Sequence, residues 1–453
     1  MNTQFSDRQQ VARSLMTRGF DSRAAEAKAE LFGRGSDALT AAAAGDARRA
    51  YYVPGRIEVL GKHTDYAGGS SIVATAERGF CLVAAARDDS EIIVTDVARN
   101  ETIRFALDPE LAPAQGDWSN YPMTVARRMA RNFPGTALGV DIAFASDLPP
   151  AAGMSSSSAL MIAVFFALAD ANDVWHHPSF PGELDEPLNL AGYLATIENG
   201  QSYGNLEGDR GVGTFGGSED HTAILCAQTG HISQYAYCPV RFEKTIPLPD
   251  GYTFVIASSG VAAEKTGEAC EKYNRASRLI AAVTELWQRE TGRDDAHLAT
   301  VLHSSERAAD SLREVVSKAV SEEFDSRALL SRLEHFIVEN EQVIPAAGDA
   351  LASGDLVEFG RWVDRSQQAA EQLLGNQIPE TVYLAAAARE HGAVAASAFG
   401  AGFGGSVWAM VSRAEVDGFL AAWYDAYQAR FPQQSENATF FATAAGPSMF
   451  RLV

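Results

Sequence analysis

The segment PGRIEVLGKHTDYAGG, residues 54–69, places a strand pattern directly before a group of polar side chains. Arg56, Lys62, His63 and Asp65 supply two cations, an imidazole and a carboxylate. This mixture of donors and acceptors can bind a ligand that carries several hydroxyl groups. The same residues could equally form a solvated hairpin, so the segment alone leaves both interpretations open.

A second segment, PPAAGMSSSSALM, brings one glycine and four serines directly before an apolar run that predicts a buried helix. Gly153, Ser155, Ser156, Ser157 and Ser158 are therefore expected where a loop meets a helix N-terminus. Small residues and free N–H groups at such an end suit a phosphate, and a serine hydroxyl can bind Mg²⁺. The segment is not a Walker A loop, and a serine-rich helix cap is an equally good interpretation.

A third segment, FGAGFGGSVWAMV, residues 399–411, crowds four glycines before a strand pattern. Such a cluster costs conformational entropy unless the backbone needs dihedral angles that other residues avoid. A tight packing loop and a loop that approaches a ligand are both consistent with it.

In the segment GVGTFGGSEDHTAI, Asp220 follows a glycine-rich turn and precedes an apolar run. A carboxylate in that place can act as a general base. Acidic residues also occur at helix starts as caps and dipole partners, and by itself this segment favours the capping role.

The elements that must position these groups divide the 453 residues into two domains and an extension. Strand patterns dominate residues 51–86, residues 262–374 are mostly helical, and the remainder returns to a β-α-β pattern. We predict an N-terminal helical extension (1–45), a first domain (46–240) and a second domain (241–453), with the boundary at a composition shift near residue 240.

Composition excludes several classes of function. A net charge of −21 opposes binding to nucleic acid and to anionic membranes, although a local site can still hold a nucleotide. No apolar run is long enough for a membrane span, and the polar N-terminus does not look like a signal peptide. Four dispersed cysteines predict reduced thiols, so we expect a cytoplasmic protein.

Together and in this order, the segments resemble the GHMP small-molecule kinase superfamily and, within it, the galactokinases. Residues 55–66 are similar to the signature G-R-x-N-x-I-G-E-H-x-D-Y, and residues 149–158 to the phosphate loop P-x-x-x-G-L-S-S-S-A. Residues 400–405 match the G-A-G-F-G-G loop. The likeness covers roughly residues 50–453.

The resemblance implies a two-domain fold that combines α/β and α+β architectures, with the active site between the domains. The N-terminal α/β domain would be like ribosomal protein S5, and the C-terminal α+β domain would be ferredoxin-like. The implied activity is an ATP-dependent kinase that uses Mg²⁺ and phosphorylates the C1 hydroxyl of a monosaccharide, most simply galactose. Its partners would be the sugar and ATP, and the chain would be a monomer or a weak homodimer.

The resemblance also implies catalytic roles at matching positions. Asp220 would take or orient the proton of the C1 hydroxyl, and Arg56 would stabilise the alkoxide and the transferring phosphoryl group. Ser157 and Glu198 would hold Mg²⁺, while the serine loop from Gly153 would bind the nucleotide phosphates.

The sugar hydroxyls would be held by His63, Asp65, Gly217 and Tyr273. Position 62 is Lys where the family usually has Glu, an acceptor for the C6 hydroxyl. Lys62 could donate to that hydroxyl oxygen, or it could pair with a C6 carboxylate, which would indicate a uronate such as galacturonate. It could also turn to solvent or to a neighbouring acid.

Further departures are Glu58 for Asn, Ser158 for Ala and His221 for Gln. They leave three alternatives to galactose phosphorylation. Two are kinases for a uronate or for another monosaccharide, and the third is a non-catalytic sensor of sugar and nucleotide.

Overall fold

The computed structural model describes residues 5, 7–40, 48–114, 116–263, 267–319 and 323–452. The N-terminal helices α1 (Arg8–Met16) and α2 (Ser22–Thr40) pack their apolar faces on one side of a large sheet. In this layer the ring of Phe20 meets that of Tyr52 edge-on, with 5.0 Å between centroids. The helices of the predicted extension thus belong to the core, whereas residues 41–45 at its end lie outside the described residues.

The large sheet has eight strands in the described chain. They are β1 (Arg48–Leu60), β2 (Ser70–Ala86), β3 (Glu91–Asp96), β4 (Glu101–Ala106), β5 (Val140–Ser146), β6 (His231–Ala236), β7 (Arg241–Pro247) and β12 (Phe450–Leu452). The order is β12-β1-β2-β5-β3-β4, and β6 joins β2 to β7. All pairs are antiparallel except β3 with β5. Apolar residues alternate between the two faces of β1 and β2, since both faces are covered.

Helices cover the other face of this sheet. They are α3 (Asn120–Asn132), α4 (Ser156–Ala171), α5 (Pro187–Asn199) and α6 (Glu219–Cys226). Helix α4 is apolar on all sides after its first turn and is almost entirely buried. A helix that is apolar on all sides is expected to be buried in the domain core. Its burial therefore fixes the position of the serine-rich N-terminus.

A second sheet contains β8 (Tyr252–Ser258), β9 (Ala395–Ala398), β10 (Ser406–Ser412) and β11 (Thr439–Thr443). The order is β11-β8-β10-β9, and all pairs are antiparallel. Helix α14 (Val416–Arg430) packs on it through the buried side chains of Trp423 and Tyr427, and α13 (Pro379–Glu390) through residues such as Leu384 and Ala388. This order is the one expected of a ferredoxin-like domain.

A helical segment connects β8 to β9. Its helices are α7 (Gly267–Thr291), α8 (Leu298–Leu302), α9 (Ala308–Lys318), α10 (Ser326–Phe336), α11 (Ile344–Ser353) and α12 (Leu356–Ala369). A π-helical turn, Ile337–Val343, joins α10 to α11, and a second one, Ala370–Leu374, follows α12. The short helix α15 (Pro432–Ser435) precedes β11.

The structure corrects the predicted boundary between residues 240 and 241. Strand β7 pairs with β6 in the large sheet, so that sheet continues to Pro247. The composition shift has a local cause, because β7 is a largely exposed edge strand. At the other end, β12 returns to pair with β1. No described helix is long and apolar enough to cross a lipid bilayer.

Candidate active site

Arg56 is the centre of a buried charge cluster. It lies on β1 at an irregularity in the pairing with β2, and only 4% of its surface is exposed. Its Nε donates a hydrogen bond of 2.8 Å to Oδ1 of Asp220, in the first turn of α6. Glu219 Oε1 lies 3.4 Å from the same Nε, and Glu58 Oε2 lies 3.5 Å from Nη1. One guanidinium thus faces three carboxyl groups.

The charges of this cluster do not balance if all three carboxyl groups ionise. Burial and the nearby carboxylate of Glu58 raise the pKa of Glu219 well above its usual range. Burial lowers the pKa of Arg56, but the carboxylates of Asp220, Glu58 and Glu219 outweigh it and raise that pKa overall. Both shifts favour a protonated Glu219 beside a charged arginine.

The loop after β1 presents His63 and Asp65 to the same region. His63 adopts a left-handed backbone, with φ of 56°, and its ring centroid lies 5.0 Å from that of Tyr273 on α7. Asp65 Oδ2 accepts the backbone N–H of Glu219 at 3.2 Å. Burial raises the pKa of Asp65 from 3.8 to about 6, against the effect of that hydrogen bond. This aspartate titrates close to neutrality.

A glycine is required at position 217 because the backbone there lies close to the side chain of Asp65. A Cβ atom added at Gly217 would lie 2.4 Å from Oδ2 of Asp65. Helix α7 also fixes the loop before Gly217, since Asn274 accepts the N–H of Phe215 and donates to the carbonyl of Gly213, both at 2.9 Å.

The serine segment forms a loop that ends in the N-terminus of α4. Gly153 and Ser155 both have positive φ angles, 72° and 60°, and the helix begins at Ser156. No side chain caps this helix, and Oγ of Ser155 is buried without a hydrogen-bond partner among the described residues. The first-turn N–H groups and this hydroxyl can therefore serve an anionic ligand.

The glycine-rich third segment closes over the charge cluster. A Cβ atom added at Gly400 would lie 2.4 Å from Oε1 of Glu58, so this loop touches the carboxyl group directly. The guanidinium of Arg56 lies over the ring of Phe399, 5.6 Å from its centroid. The glycines thus permit close packing of the two domains at the charge cluster.

Two cavities meet at Arg56 and Asp220. The smaller one, about 40 Å³ and called here the acidic recess, is lined by Glu58, Asp65, Glu219, His63, Tyr273 and Gly217 among others. The larger one, about 1360 Å³ and called here the cleft, is lined by Gly153 and by the serines from Ser155 to Ser157. Arg56, Glu198 and Asp220 line both cavities. A group bound in either cavity can therefore reach the same arginine and aspartate.

The structure corrects the prediction for Lys62. Its side chain is fully buried, and Nζ donates a hydrogen bond of 2.9 Å to Oγ of Ser366 on α12, away from the recess. The backbone turns at Gly61, whose φ is 118°, so successive side chains diverge here. Lys62 is thus held by a buried structural contact and is not among the residues that line the recess.

The prediction for Ser158 also changes. Ser158 is fully buried and does not line the cleft, because its hydroxyl faces α5. Oγ donates to Oε2 of Glu198 at 2.7 Å and lies 3.5 Å from Oδ2 of Asp220. The Ser158 hydroxyl therefore contacts two carboxylates, and only the preceding serines, Ser155 to Ser157, face the cleft.

Glu219 is the residue that sequence reasoning missed. As an acidic residue at the start of α6 it gives only the capping signal, yet its side chain lines the recess beside Glu58. The available signal was Glu58, which brings a carboxyl group to the strand of Arg56 where the family signature has Asn.

Comparisons with known proteins agree with this arrangement. Residues 120–206 match the profile of the GHMP kinases N terminal domain, and residues 349–429 match GHMP kinases C terminal. Residues 41–87 match the galactokinase galactose-binding signature. The three matched ranges include the first charged loop and the serine loop.

The similar curated proteins are galactokinases. The chain is 30% identical over 384 residues to that of Chloroflexus aggregans, covering 83% of this chain and 87% of the relative. It is 28% identical over 393 residues to that of Enterococcus faecalis, covering 83% and 89%. The fold is similar to Lactococcus lactis galactokinase complexed with galactose, with a TM-score of 0.74 and 22% identity over 92% of this chain and 98% of that one.

Proposed function

The chain belongs to the galactokinase family of GHMP kinases, and from this premise we propose how it transfers the γ-phosphoryl group of ATP to the C1 hydroxyl of galactose. The observation that supports the assignment of roles is the pair Arg56–Asp220 at the junction of the two cavities. In our proposal the acidic recess binds the sugar and the cleft binds the nucleotide. The γ-phosphoryl group is then transferred from the nucleotide to the sugar beside this pair.

Asp220 acts as the base. Its Oδ1 is held by Arg56 and its Oδ2 lies near Ser158, so the carboxylate has a fixed orientation. In this position Asp220 accepts the proton of the C1 hydroxyl as the oxygen attacks phosphorus. The guanidinium of Arg56 stabilises the negative charge that develops on that oxygen and on the phosphoryl group.

The cleft supplies the groups that a magnesium nucleotide needs. The uncapped N-terminus of α4 and the buried Oγ of Ser155 suit phosphate oxygens. Ser157 and Glu198 both line the cleft, and hydroxyl and carboxylate oxygens are the protein ligands that Mg²⁺ prefers. When bound, Mg²⁺ would neutralise charge on the phosphates, while Ser158 holds Glu198 in place.

The recess supplies contacts for the sugar. His63, Asp65 and Tyr273 surround it with hydrogen-bonding side chains, and Gly217 leaves room beside Asp65. A uronate is a poor ligand for this recess. Its carboxylate would meet several acidic groups and only one arginine, while the ammonium of Lys62 is buried elsewhere.

The experiment measures ATP consumption with Mg²⁺ against galactose, galacturonate, glucuronate, N-acetylgalactosamine, arabinose and glucose. We expect turnover on galactose, with galactose 1-phosphate identified by ³¹P NMR as the product. Turnover on galacturonate alone would overturn the assignment of the recess. Binding of nucleotide and sugar without any turnover would instead support the sensor alternative.

A further inference from the structure

Helix α10 and the π-helical turn after it run along the loop between β1 and β2, residues 61–69, and the first residue of β2. This loop carries His63 and Asp65, which line the recess, whereas the helices belong to the segment between β8 and β9. Three side chains of this one helical stretch, Arg332, Glu339 and Asn340, reach the loop.

Arg332 holds the middle of the loop. Its exposed fraction is 1%, and Nη2 donates to the backbone carbonyl of His63 and to Oη of Tyr66, the latter at 3.3 Å. Nε donates to the carbonyl of Ala276 on α7 at 3.3 Å. Nη1 lies 3.1 Å from Nδ1 of His335. Burial and the charge of Arg332 lower the pKa of His335, so its neutral imidazole can accept that hydrogen bond.

Glu339 and Asn340 hold the two ends of the loop. Oε1 of Glu339 accepts the N–H of Gly61 at 2.9 Å, and Oδ1 of Asn340 accepts the N–H of Ser70 at 2.7 Å. Both residues lie in the π-helical turn, whose wider backbone changes the direction of successive side chains. If α10 continued as a regular α-helix, the side chains at positions 339 and 340 would point in other directions and would not make these two contacts.

We infer that Arg332, Glu339 and Asn340 act as a clamp that positions the sugar-binding loop of the recess. The inference rests on the proposed function, since it takes the recess as the galactose site. The clamp matters because His63 has a left-handed backbone, which a residue with a Cβ atom adopts only when its surroundings hold it there. Arg332 binds the carbonyl of that residue and also binds α7, which carries Tyr273. It therefore fixes His63 and Tyr273 relative to each other.

The test uses Arg332→Met and Asn340→Ala in the full chain, with galactose and ATP each varied at saturation of the other. We expect the galactose KM to rise about tenfold in Arg332→Met and about threefold in Asn340→Ala, with the ATP KM and kcat within about twofold of wild type. Arg332→Lys, which keeps a cationic donor, is expected to lie between wild type and Arg332→Met.

The matched control is Arg128→Lys, since Arg128 is also a fully buried arginine but bonds Asn132 and Gln201 in the first domain. It should lower the melting temperature without raising the galactose KM selectively. Equal changes in both KM values in Arg332→Met, or a galactose KM unchanged in both clamp variants, would overturn the inference.

If Arg332→Met does not fold, Asn340→Ala and Arg332→Lys give the same comparison. Failure of the proposed function is distinguishable, because wild-type protein would then show no turnover on galactose.

Discussion

The acidic recess and the cleft present different kinds of chemical groups to a ligand. The recess is small and is lined by charged side chains from three separate parts of the chain, namely β1 and its loop, α5 and α6, and the glycine loop after β9 closes it. The cleft is wide, and the part that we propose for phosphate consists mainly of backbone N–H groups and small residues from one continuous segment. Substitutions in the recess should therefore change charge balance and geometry together, whereas single side chains in the cleft should matter less.

The largest expected effect follows removal of the charge shared by the two regions. Arg56→Met leaves the buried carboxyl groups of Glu58 and Glu219 and the partly exposed one of Asp220 without their cation. We expect kcat to fall about 1000-fold and the unfolding free energy to fall by about 3–5 kcal/mol. Steady-state kinetics and urea unfolding measure the two effects. A variant with stable folding and near-normal kcat would contradict the role of Arg56.

Lys62→Glu tests whether position 62 belongs to the recess. It would bury a carboxylate beside the backbone N–H groups held by Glu339, which is itself fully buried. We expect the unfolding free energy to fall by about 3–5 kcal/mol, with an unchanged ratio of galacturonate to galactose turnover. Lys318→Glu, at an exposed lysine, is the control and should have little effect on stability. A tenfold change in the ratio of galacturonate to galactose turnover would show that the side chain at position 62 does contact the sugar.

The pH dependence of Asp65 distinguishes the recess from an ordinary surface. Because the folded pKa of Asp65 is raised from 3.8 to about 6, the folded state binds this proton more tightly than the unfolded state. Its contribution to the unfolding free energy is therefore present below the lower value and is lost as pH rises through this window.

Asp65→Asn removes that titration. As pH rises from 3.8 to about 6, wild type should lose stability relative to Asp65→Asn. Above this interval the difference in unfolding free energy between the two proteins should stay constant. Urea unfolding of both proteins at several pH values measures this difference. A difference that does not change with pH would mean that Asp65 is not buried with acidic neighbours.

The smallest expected effect is in the cleft. Ser156→Ala removes one hydroxyl at the start of α4 but keeps every backbone N–H group of the loop. We expect the ATP KM to rise by less than about threefold, because the phosphate contacts come mainly from the backbone. A rise of the ATP KM by a hundredfold or more would contradict the contrast between the two regions, because it would make one side chain of the cleft essential.

Much of the fold was predictable from sequence because its signals are local. A few consecutive residues are enough to indicate the backbone conformation in three places. These are the glycines of the third segment, the serines before an apolar helix and the strand that carries Arg56. The β7 boundary was missed because an exposed edge strand has the composition of a linker.

The side-chain environment of the site was less predictable. Ser366, the partner of the Lys62 ammonium, follows it by 304 residues, and Glu339, the partner of the Gly61 N–H, follows it by 278 residues. Glu219 and Asp220 are adjacent on one helix and give the same capping signal. Only the packing of α6 against β1 shows that both carboxyl groups contact Arg56.

The most direct measurement of the central claim compares Asp220→Asn with wild type in binding and in turnover. Calorimetric titration gives the affinities for galactose and for magnesium nucleotide, and steady-state kinetics give kcat. We predict that kcat falls about 1000-fold while both affinities stay within about threefold of wild type, because the base acts in the transfer step. A kcat close to wild type would show that phosphoryl transfer does not depend on the Arg56–Asp220 pair.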